Sequence, residues 1–208
     1  MSLQSKSWRI DMEKYVLHRK DKIIYTTIDV IDKYGIQNVS TKEIAKRQRI
    51  SEATIFKHFK TKQELLMAVL DFYSQYDDDI RFSVMEKLAN PLAAIRFYIQ
   101  AYTEYYENYP AITAINQATD IITCDAELGE RIKIIYTNRI NALIEIIEAA
   151  KEIGQLPQDI DADRLADIIW GTYQGIILKW RLSEYSFPLT EYTFSTIDLL
   201  LDVFKNKQ

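Results

Sequence analysis

Residues 40–66 constrain the fold most, because they contain the start signals of three helices in close succession. Ser40 is a good helix N-cap, and Glu43 three residues later completes a capping box. Ser51 is a second N-cap candidate, and the short helix that it opens is predicted to end near Phe59. Two short capped helices with one buried face and a basic outer face are typical of proteins that dock in the major groove of DNA.

The run Ile50–Leu65 resembles the helix-turn-helix signature of TetR-type transcriptional regulators. Gly35 and the segments 39–41 and 44–45 fall at matching distances upstream, so the resemblance covers about residues 17–77. It rests on many positions together and is therefore more specific than a single short motif.

The sequence departs from the family pattern at two positions. Arg49 stands where the family usually has glycine in the turn, and a left-handed backbone there costs more for a residue with a side chain. Phe56 replaces a common tyrosine and lacks the hydroxyl that often touches phosphate in the family.

Outward residues of the second short helix are expected to read the bases. Lys57 can donate to guanine, and Thr54 and Ala53 can pack on a thymine methyl group. Glu52 can accept from cytosine N4. Phosphate contacts are predicted for Thr41, Lys42, His58, Lys60 and Lys62. The resemblance implies DNA-binding roles at Thr41, Ser51, Glu52, Ala53, Thr54, Phe56, Lys57, His58 and Lys62. The alternative for His58 and Phe56 is that they only pack the head.

Charge is divided unevenly along the chain, although the net charge is only −4. Residues 1–62 contain 14 Lys and Arg against 7 Asp and Glu, whereas residues 63–208 contain 12 against 23. A basic head on an acidic body fits a partner that is double-stranded DNA. Ordinary surface charge is the alternative when charge is considered alone.

Five Gly, four Pro and 48% apolar residues favour long helices over a turn-rich β fold. The sequence predicts an all-α chain of about nine helices, and the resemblance implies three helices in the DNA-binding head and six in the body. We predict an N-terminal extension over 1–16, the helix-turn-helix domain over 17–77 (the motif itself over 40–59), and a ligand-binding and dimerisation domain over 78–208. The extension is either a DNA-binding arm or a tail.

Three longer-range expectations follow from helical periodicity and caps. Residues 62–88 are predicted to form one long helix that links the head to the body. Residues 111–123 are predicted to form one short helix, and Thr190 to cap the last helix, which ends near Lys205.

A single short recognition helix reads few bases, so two-fold dimers that span two half-sites are expected. The last two helices are the candidate interface, and their mid-helix glycines would allow close approach of two copies. The predicted interface residues are Leu165, Ile169, Gly171, Thr172, Gly175, Ile176, Phe194, Ile197 and Leu201. The alternative is that these stripes form the core of a monomer.

Tyrosines recur at helical spacing in the body, where their hydroxyls need partners if they are buried. Such a stripe either forms dry core or lines a pocket, and the resemblance implies a ligand cavity. The predicted ligand-binding residues are Tyr98, Tyr102, Tyr105, Tyr136, Trp170 and Tyr173, with Asn116, Glu104 and Asp120 as polar anchors. The effector is expected to be apolar or aromatic.

No catalytic, metal or cofactor site is predicted, because the two histidines lie in the head and Cys124 has no base nearby in sequence. One cysteine fits a reducing cytoplasm, and no apolar run predicts a membrane span. We expect a ligand-released repressor. The alternatives are an activator, or a helical ligand-binding protein or enzyme whose head contacts other proteins.

Overall fold

The structure is a computed structural model, and it describes residues 18–204. The predicted N-terminal extension, residues 1–16, and the predicted end of the last helix at Lys205 lie outside the described residues.

The described part of the chain consists of helices and their connections, which confirms the all-α prediction. The α-helices are α1 Arg19–Tyr34, α2 Thr41–Gln48, α3 Glu52–His58, α4 Lys62–Tyr73, α5 Asp77–Met85, α6 Pro91–Asn108, α7 Ala114–Gln117, α8 Thr119–Ile122, α9 Ala126–Glu152, α10 Ala162–Leu182 and α11 Leu189–Phe204, with 3-10 turns at Ile36–Asn38 and Pro110–Thr113. There are more helices in residues 18–204 than the nine predicted, because two predicted helices are divided.

Helices α1, α2 and α3 form a small head around a shared core. Ile28 of α1, Ile44 of α2 and Ile55 of α3 are buried together with Phe59, which follows α3. Gly35 ends α1 as predicted, with a φ of 82° that glycine adopts at little cost. The apolar side chains of these short helices therefore face inward and leave their polar sides to solvent.

The two predicted N-caps of the head behave differently. The Ser51 hydroxyl accepts from the backbone N–H of Thr54 at 3.2 Å and caps α3 as predicted. Ser40 occupies the N-cap position of α2, but its side chain makes no capping hydrogen bond. Glu43 instead pairs with Arg47 at 2.8 Å. The predicted capping box is therefore wrong, because an arginine one turn along α2 takes the Glu43 carboxylate.

The single helix predicted over 62–88 is also wrong, because the chain turns between α4 and α5. In a continuous helix the N–H of Asp77 would donate to the carbonyl of Tyr73. Here it donates to the Ser74 carbonyl at 3.0 Å, and the Tyr73 carbonyl accepts from Arg139 of α9 at 3.3 Å. A side chain from a distant helix replaces the bond that would have continued the helix.

The helix predicted over 111–123 is divided into a 3-10 turn, α7 and α8. Side-chain hydroxyls compete here for backbone carbonyls. Thr113 donates to the Pro110 carbonyl at 2.6 Å, and Thr119 donates to the Asn116 carbonyl at 3.0 Å. Local side-chain bonds thus favour a series of single turns.

The last helix begins at Leu189, so Thr190 does not cap it as predicted. Glu107 of α6 provides the capping group, because its carboxylate accepts from the Leu189 N–H at 2.9 Å and from the Thr190 hydroxyl. The start of α11 is therefore fixed by contact with α6.

The body is built on α9, which packs against α4, α6 and α10, while α11 lies on α6 and α10. The head contacts this body on two sides. Arg181 of α10 donates to Asp32 of α1 at 2.7 Å, and Gln63 of α4 donates to Glu127 of α9 at 3.1 Å. The Arg181 bond joins α1 to the body, and the Gln63 bond holds the start of α4 against α9, so α4 runs from the head into the body.

Candidate DNA-binding surface and ligand cavity

The outer face of α3 is open to solvent, because Ile55 and Phe59 take the inner face. All the residues predicted to bind DNA lie on exposed or half-buried positions of the head. They are Thr41, Lys42, Ser51, Glu52, Ala53, Thr54, Phe56, Lys57, His58, Lys60 and Lys62. Each is accessible to a duplex, and their individual roles stay predictions.

Thr41 and Glu52 are hydrogen-bonded to each other across the two short helices. The Thr41 hydroxyl donates to Glu52 Oε2 at 2.7 Å. Glu52 lies in the first turn of α3, where the helix dipole stabilises a negative charge. A phosphate that accepts from Thr41 would have to displace Glu52, so these two predicted contacts are coupled.

The turn between α2 and α3 has the left-handed backbone expected from the family pattern. Arg49 adopts φ 53° and ψ 45°, and the following N–H of Ile50 donates to the Ala45 carbonyl at 3.0 Å. The turn is therefore made with a residue that pays a steric cost which glycine would avoid.

The start of α4 lies immediately after α3, the helix that is predicted to read the bases. The Thr61 hydroxyl accepts from the N–H of Glu64 at 3.0 Å and caps α4, and the Glu64 carboxylate accepts from the N–H of Lys60 at 2.6 Å. Lys60 and Lys62 flank this cap and are exposed. Two candidate phosphate contacts are thus attached to the helix that leads into the body.

A cavity of about 360 Å³ lies in the body between α4, α7, α8, α9 and α10. This volume is within the range of small-molecule sites. It is lined by Tyr73, Asn116, Gln117, Thr119, Ile132, Ile135, Tyr136, Arg139, Trp170, Gln174, Gly175 and Leu178. Tyr73, Arg139 and Trp170 are buried, whereas Gln117 and Tyr136 are exposed, so the cavity extends from the surface to the core.

The predicted tyrosine stripe contributes less to this cavity than expected. Of the six predicted ligand-binding residues, Tyr136 and Trp170 line it. Tyr98, Tyr102, Tyr105 and Tyr173 lie outside its lining. Most of these hydroxyls find partners in the protein itself. Tyr98 donates to the Arg139 carbonyl at 2.8 Å, Tyr102 to Asp77 at 3.1 Å, and Tyr105 to the Phe72 carbonyl at 3.3 Å.

Of the three predicted polar anchors, Asn116 lines the cavity, whereas Glu104 and Asp120 do not. The Asn116 amide donates to Gln174 at 3.2 Å, and its carbonyl oxygen accepts from the Tyr73 hydroxyl. Asn116 therefore joins α7 to both α4 and α10.

Sequence reasoning missed Arg139, which is the centre of the polar groups in the body. It is 3% exposed, and Nε and Nη2 donate to the two Asp77 oxygens at 2.8 Å each. Nη1 donates to the Tyr73 hydroxyl at 2.6 Å and to the Tyr106 hydroxyl at 3.4 Å. The sequence signal was an arginine one turn after Ile135 on an otherwise apolar stripe of α9.

These oxygens stabilise the charge of the buried Arg139 side chain. Burial alone lowers the pKa of an arginine, but the oxygens of Tyr73, Tyr106, Tyr102 and Asp77 outweigh burial and hold the pKa of Arg139 above its ordinary value. Burial also raises the pKa of Tyr102 and Tyr106 well above the ordinary value for tyrosine. Tyr102 and Tyr106 therefore stay neutral, and the Asp77 carboxylate pairs with the arginine.

The exposed face of α10 and α11 differs from the predicted interface stripe. Five predicted interface residues are buried in the core of the single chain, because α9 and α6 cover them: Leu165, Ile169, Ile176, Ile197 and Leu201. Gly171, Thr172, Gly175 and Phe194 keep exposed or half-buried positions. The exposed apolar side chains on these helices are Ile168, Leu178, Leu182, Leu199 and Val203.

Gly171 and Gly175 lie on the exposed side of α10, and Gly175 also lines the cavity. A Cβ built at either position meets no atom within 4 Å, so packing inside one chain does not require glycine there. Each glycine weakens the helix by about 1 kcal/mol relative to alanine. An interface on these helices stays a prediction. Its apolar contacts would come from the exposed side chains named above and not from the five buried residues.

No group of three or more His, Cys, Asp or Glu side chains in residues 18–204 is placed to hold a metal ion. Cys124 is exposed. None of the helices in that range is long and apolar enough to span a membrane.

A sequence profile described as bacterial regulatory proteins of the tetR family matches residues 23–69, which is the head and the start of α4. A second profile, described as the C-terminal region of YsiA-like proteins, matches residues 71–203. The chain belongs to the TetR family. Because the matches cover both the head and the body, this TetR-family protein is a DNA-binding transcriptional regulator.

Relatives of this TetR-family protein align along most of its length. It is 21% identical over 191 residues to the fatty acid metabolism regulator protein of Bacillus subtilis, covering 89% of this chain and 95% of that protein. It is 25% identical over 182 residues to the HTH-type transcriptional regulator TtgR of Pseudomonas putida, covering 83% of this chain and 85% of that protein.

The fold of this TetR-family protein is similar to that of the transcriptional regulator FadR from Bacillus subtilis, which was crystallised in complex with stearoyl-CoA. The TM-score is 0.72 at 19% identity, and the match covers 87% of this chain and 97% of that chain. At this identity the likeness shows the shared fold.

Proposed function

We propose that this TetR-family protein is a homodimeric repressor that binds a palindromic DNA operator through α3 and releases it when a small molecule enters the cavity. The exposed outer face of α3 carries the proposal. The buried Ile55 and the Ser51 cap hold the helix in place, and they leave Lys57 and the other outward side chains free to contact DNA.

A dimer provides the second recognition helix. The open face of α10 and α11 combines exposed Leu182 and Leu199 with two glycines that the single chain does not need for packing. Close approach of two such faces would bury this apolar surface. The two α3 helices would then address half-sites about 34–36 Å apart, one helical turn of DNA.

Helix α4 connects the two sites. It begins at Lys62 beside the proposed DNA surface and ends at Tyr73, which lines the cavity. A ligand that binds one position of α4 better than another would shift the population of dimers away from the DNA-binding form. By reciprocity, operator DNA would weaken ligand binding by the same factor.

Fatty acyl compounds are the first effector class to test. The second profile matches most of the body, and the similar FadR structure from Bacillus subtilis contains stearoyl-CoA. The aliphatic and aromatic walls of the cavity, including Ile132, Ile135 and Leu178, suit an acyl chain.

Two alternatives share the same fold. An activator would bind the same operator but respond to ligand with the opposite effect on transcription. A ligand-binding protein or enzyme whose head contacts proteins would not bind duplex DNA with the steep salt dependence of phosphate contacts.

Selection of bound sequences from a random duplex pool tests the class directly. We expect a palindromic site with half-site centres one helical turn apart. Absence of any enriched sequence at low ionic strength would contradict the proposal.

Alanine variants of two exposed lysines separate base reading from phosphate binding. We expect Lys57→Ala to relax sequence preference, because an exposed lysine on α3 can donate to guanine in the major groove. We expect Lys62→Ala to weaken binding to all duplexes alike and to lower the salt slope by about 1.

Lys133→Ala, an exposed position on α9 in the body, is the matched control and should leave both quantities unchanged. The assignment fails if Lys57→Ala and Lys62→Ala behave like this control. The measurement is fluorescence anisotropy with the selected and scrambled duplexes over a range of salt concentrations.

A further inference from the structure

Glu52 is the one acidic residue in the predicted DNA-binding set, whose other members are neutral or basic. A carboxylate on such a surface repels phosphates and lowers the affinity for any duplex. The acidic residue of α2, Glu43, is neutralised by Arg47 at 2.8 Å. In the described part of the chain, no ion pair forms at Glu52. A charge that opposes the local function of a surface indicates a compensating gain.

The Glu52 carboxylate accepts instead from a hydroxyl on the neighbouring helix. Thr41 Oγ1 lies 2.7 Å from Glu52 Oε2. A threonine hydroxyl has a single hydrogen to donate, and both a carboxylate and a phosphate can only accept. Thr41 therefore serves either Glu52 or a phosphate. While the bond to Glu52 lasts, Thr41 cannot make the phosphate contact that is predicted for it.

This bond lies at the surface of two helices that are packed firmly against each other. Ile44 of α2 and Ile55 of α3 are 0% and 1% exposed, so the core of the head holds the helices together. The Glu52 side chain itself is exposed, and Thr41 is half-buried. Opening the bond therefore requires only a rotation of the Glu52 side chain.

Among the groups on base edges, only amino groups can replace Thr41 as the donor to Glu52. In the major groove cytosine N4 and adenine N6 carry N–H groups, whereas guanine N7 and O6 and thymine O4 only accept. Opposite an amino group the exchange is balanced. The bond from Thr41 to Glu52 breaks, a bond from the base to Glu52 forms, and the freed hydroxyl donates to a phosphate. Opposite an acceptor, the carboxylate gains no partner for the one it gives up.

We propose that Glu52 is a specificity-determining residue that keeps the Thr41 hydroxyl from phosphate on non-operator DNA and releases it where a base amino group takes its place. The carboxylate lowers the affinity for all duplexes, and the operator recovers this loss through two hydrogen bonds per half-site. Specificity thus comes from a penalty on the wrong sequences as well as from contacts with the right one. The inference rests on the proposed function, because it takes α3 as the helix that enters the major groove.

Thr41→Val removes the hydroxyl and keeps the shape of the side chain. Fluorescence anisotropy with the full chain measures its affinity for the selected operator and for a scrambled duplex. We expect operator binding to weaken by about 3- to 30-fold, because a phosphate contact is lost at each half-site. We expect binding to the scrambled duplex to change by less than about twofold, since Glu52 holds the hydroxyl there. Thr137→Val, an exposed position on α9, is the matched control and should leave both affinities unchanged.

Glu52→Ala frees the hydroxyl on every duplex. We expect this variant to bind the scrambled duplex more tightly than the wild type does, because a negative charge is removed and Thr41 becomes available. In the Glu52→Ala background, adding Thr41→Val should weaken binding to the scrambled duplex by about 3- to 30-fold. The effect of the hydroxyl on scrambled DNA therefore depends on whether the carboxylate is present.

Deletion of single amino groups from the operator tests the base that Glu52 reads. Pyrimidin-2-one replaces cytosine without N4, and purine replaces adenine without N6, at one position of the half-site at a time. We expect one position where the deletion weakens wild-type binding at least about fivefold and Glu52→Ala binding less than about twofold. The analogue that gives the loss identifies the base.

Equal weakening of operator and scrambled binding by Thr41→Val would overturn the proposal, and so would no effect on either duplex. The proposal also fails if no amino-group deletion distinguishes the wild type from Glu52→Ala. If Thr41→Val does not fold, the amino-group series decides alone, because it needs only a change at an exposed side chain. A wild-type protein that binds no duplex would reject the proposed function and this inference with it. Operator binding with the wrong pattern would reject this inference alone.

Discussion

Replacing Asp77 with alanine removes the carboxylate that balances a buried arginine. Arg139 side-chain atoms are 2% exposed and those of Asp77 17% exposed, and two N–H groups of Arg139 reach the Asp77 oxygens at 2.8 Å each. Without Asp77, the guanidinium stays charged in the core, because the surrounding oxygens hold its pKa high. Loss of one partner of a buried pair costs about 3–5 kcal/mol.

The chain contains a matched control between the same two helices. Arg81 of α5 and Glu145 of α9 form a pair at 2.9 Å whose side chains are 55% and 45% exposed. Exposed pairs contribute about 0.2–1 kcal/mol. We therefore expect Glu145→Ala to lower the free energy of unfolding by less than about 1 kcal/mol, against about 3–5 kcal/mol for Asp77→Ala.

Urea unfolding at one fixed protein concentration measures both variants, since a dimer makes the midpoint depend on concentration. The double variant Asp77→Ala/Arg139→Met should recover at least half of the loss, because the unpaired charge is gone. Equal effects of Asp77→Ala and Glu145→Ala would refute the reasoning, as would a double variant no more stable than Asp77→Ala.

Two further predictions concern backbone and interface. Arg49→Gly should raise the free energy of unfolding by about 0.5–1.5 kcal/mol, because the left-handed turn no longer strains a side chain, and a lower urea midpoint would contradict this. Gly171→Leu should leave the single chain folded, since its Cβ meets open space, but weaken the dimer at least tenfold in sedimentation velocity over a concentration series. Asn138→Leu, an exposed position on α9, is the control, and equal dimer affinity of the two variants would contradict the α10–α11 interface.

The head was predicted well because its signals act within a few residues. The Ser51 cap, the Gly35 stop and the burial of Ile55 depend on neighbours one turn away, and all are present in the structure. A contact of the same local kind caps α9, where the Asp125 carboxylate accepts from the N–H groups of Glu127 and Leu128. The Ser40 capping box failed because Arg47, also nearby, competed for the same carboxylate.

The body was predicted less well because its decisive contacts join distant helices. The tyrosine stripe of α6 has helical periodicity, but periodicity does not say which neighbours supply hydroxyl partners. Tyr98 and Tyr102 donate to the Arg139 carbonyl and to Asp77 and lie outside the cavity lining, whereas Trp170 lines the cavity. Likewise, Ile169 and Leu201 have the pattern of an interface but are covered by the protein itself.

The sequence by itself determined the helical class, the helix-turn-helix head and its outward polar face, because caps, glycine stops and apolar periodicity are local properties of a chain. Only the tertiary structure decided where α4 ends, which side chains line the cavity and which face of α10 remains open. Those features depend on bonds such as Arg139 to the Tyr73 carbonyl, between residues 66 positions apart in the chain. No local pattern in the sequence records such a contact.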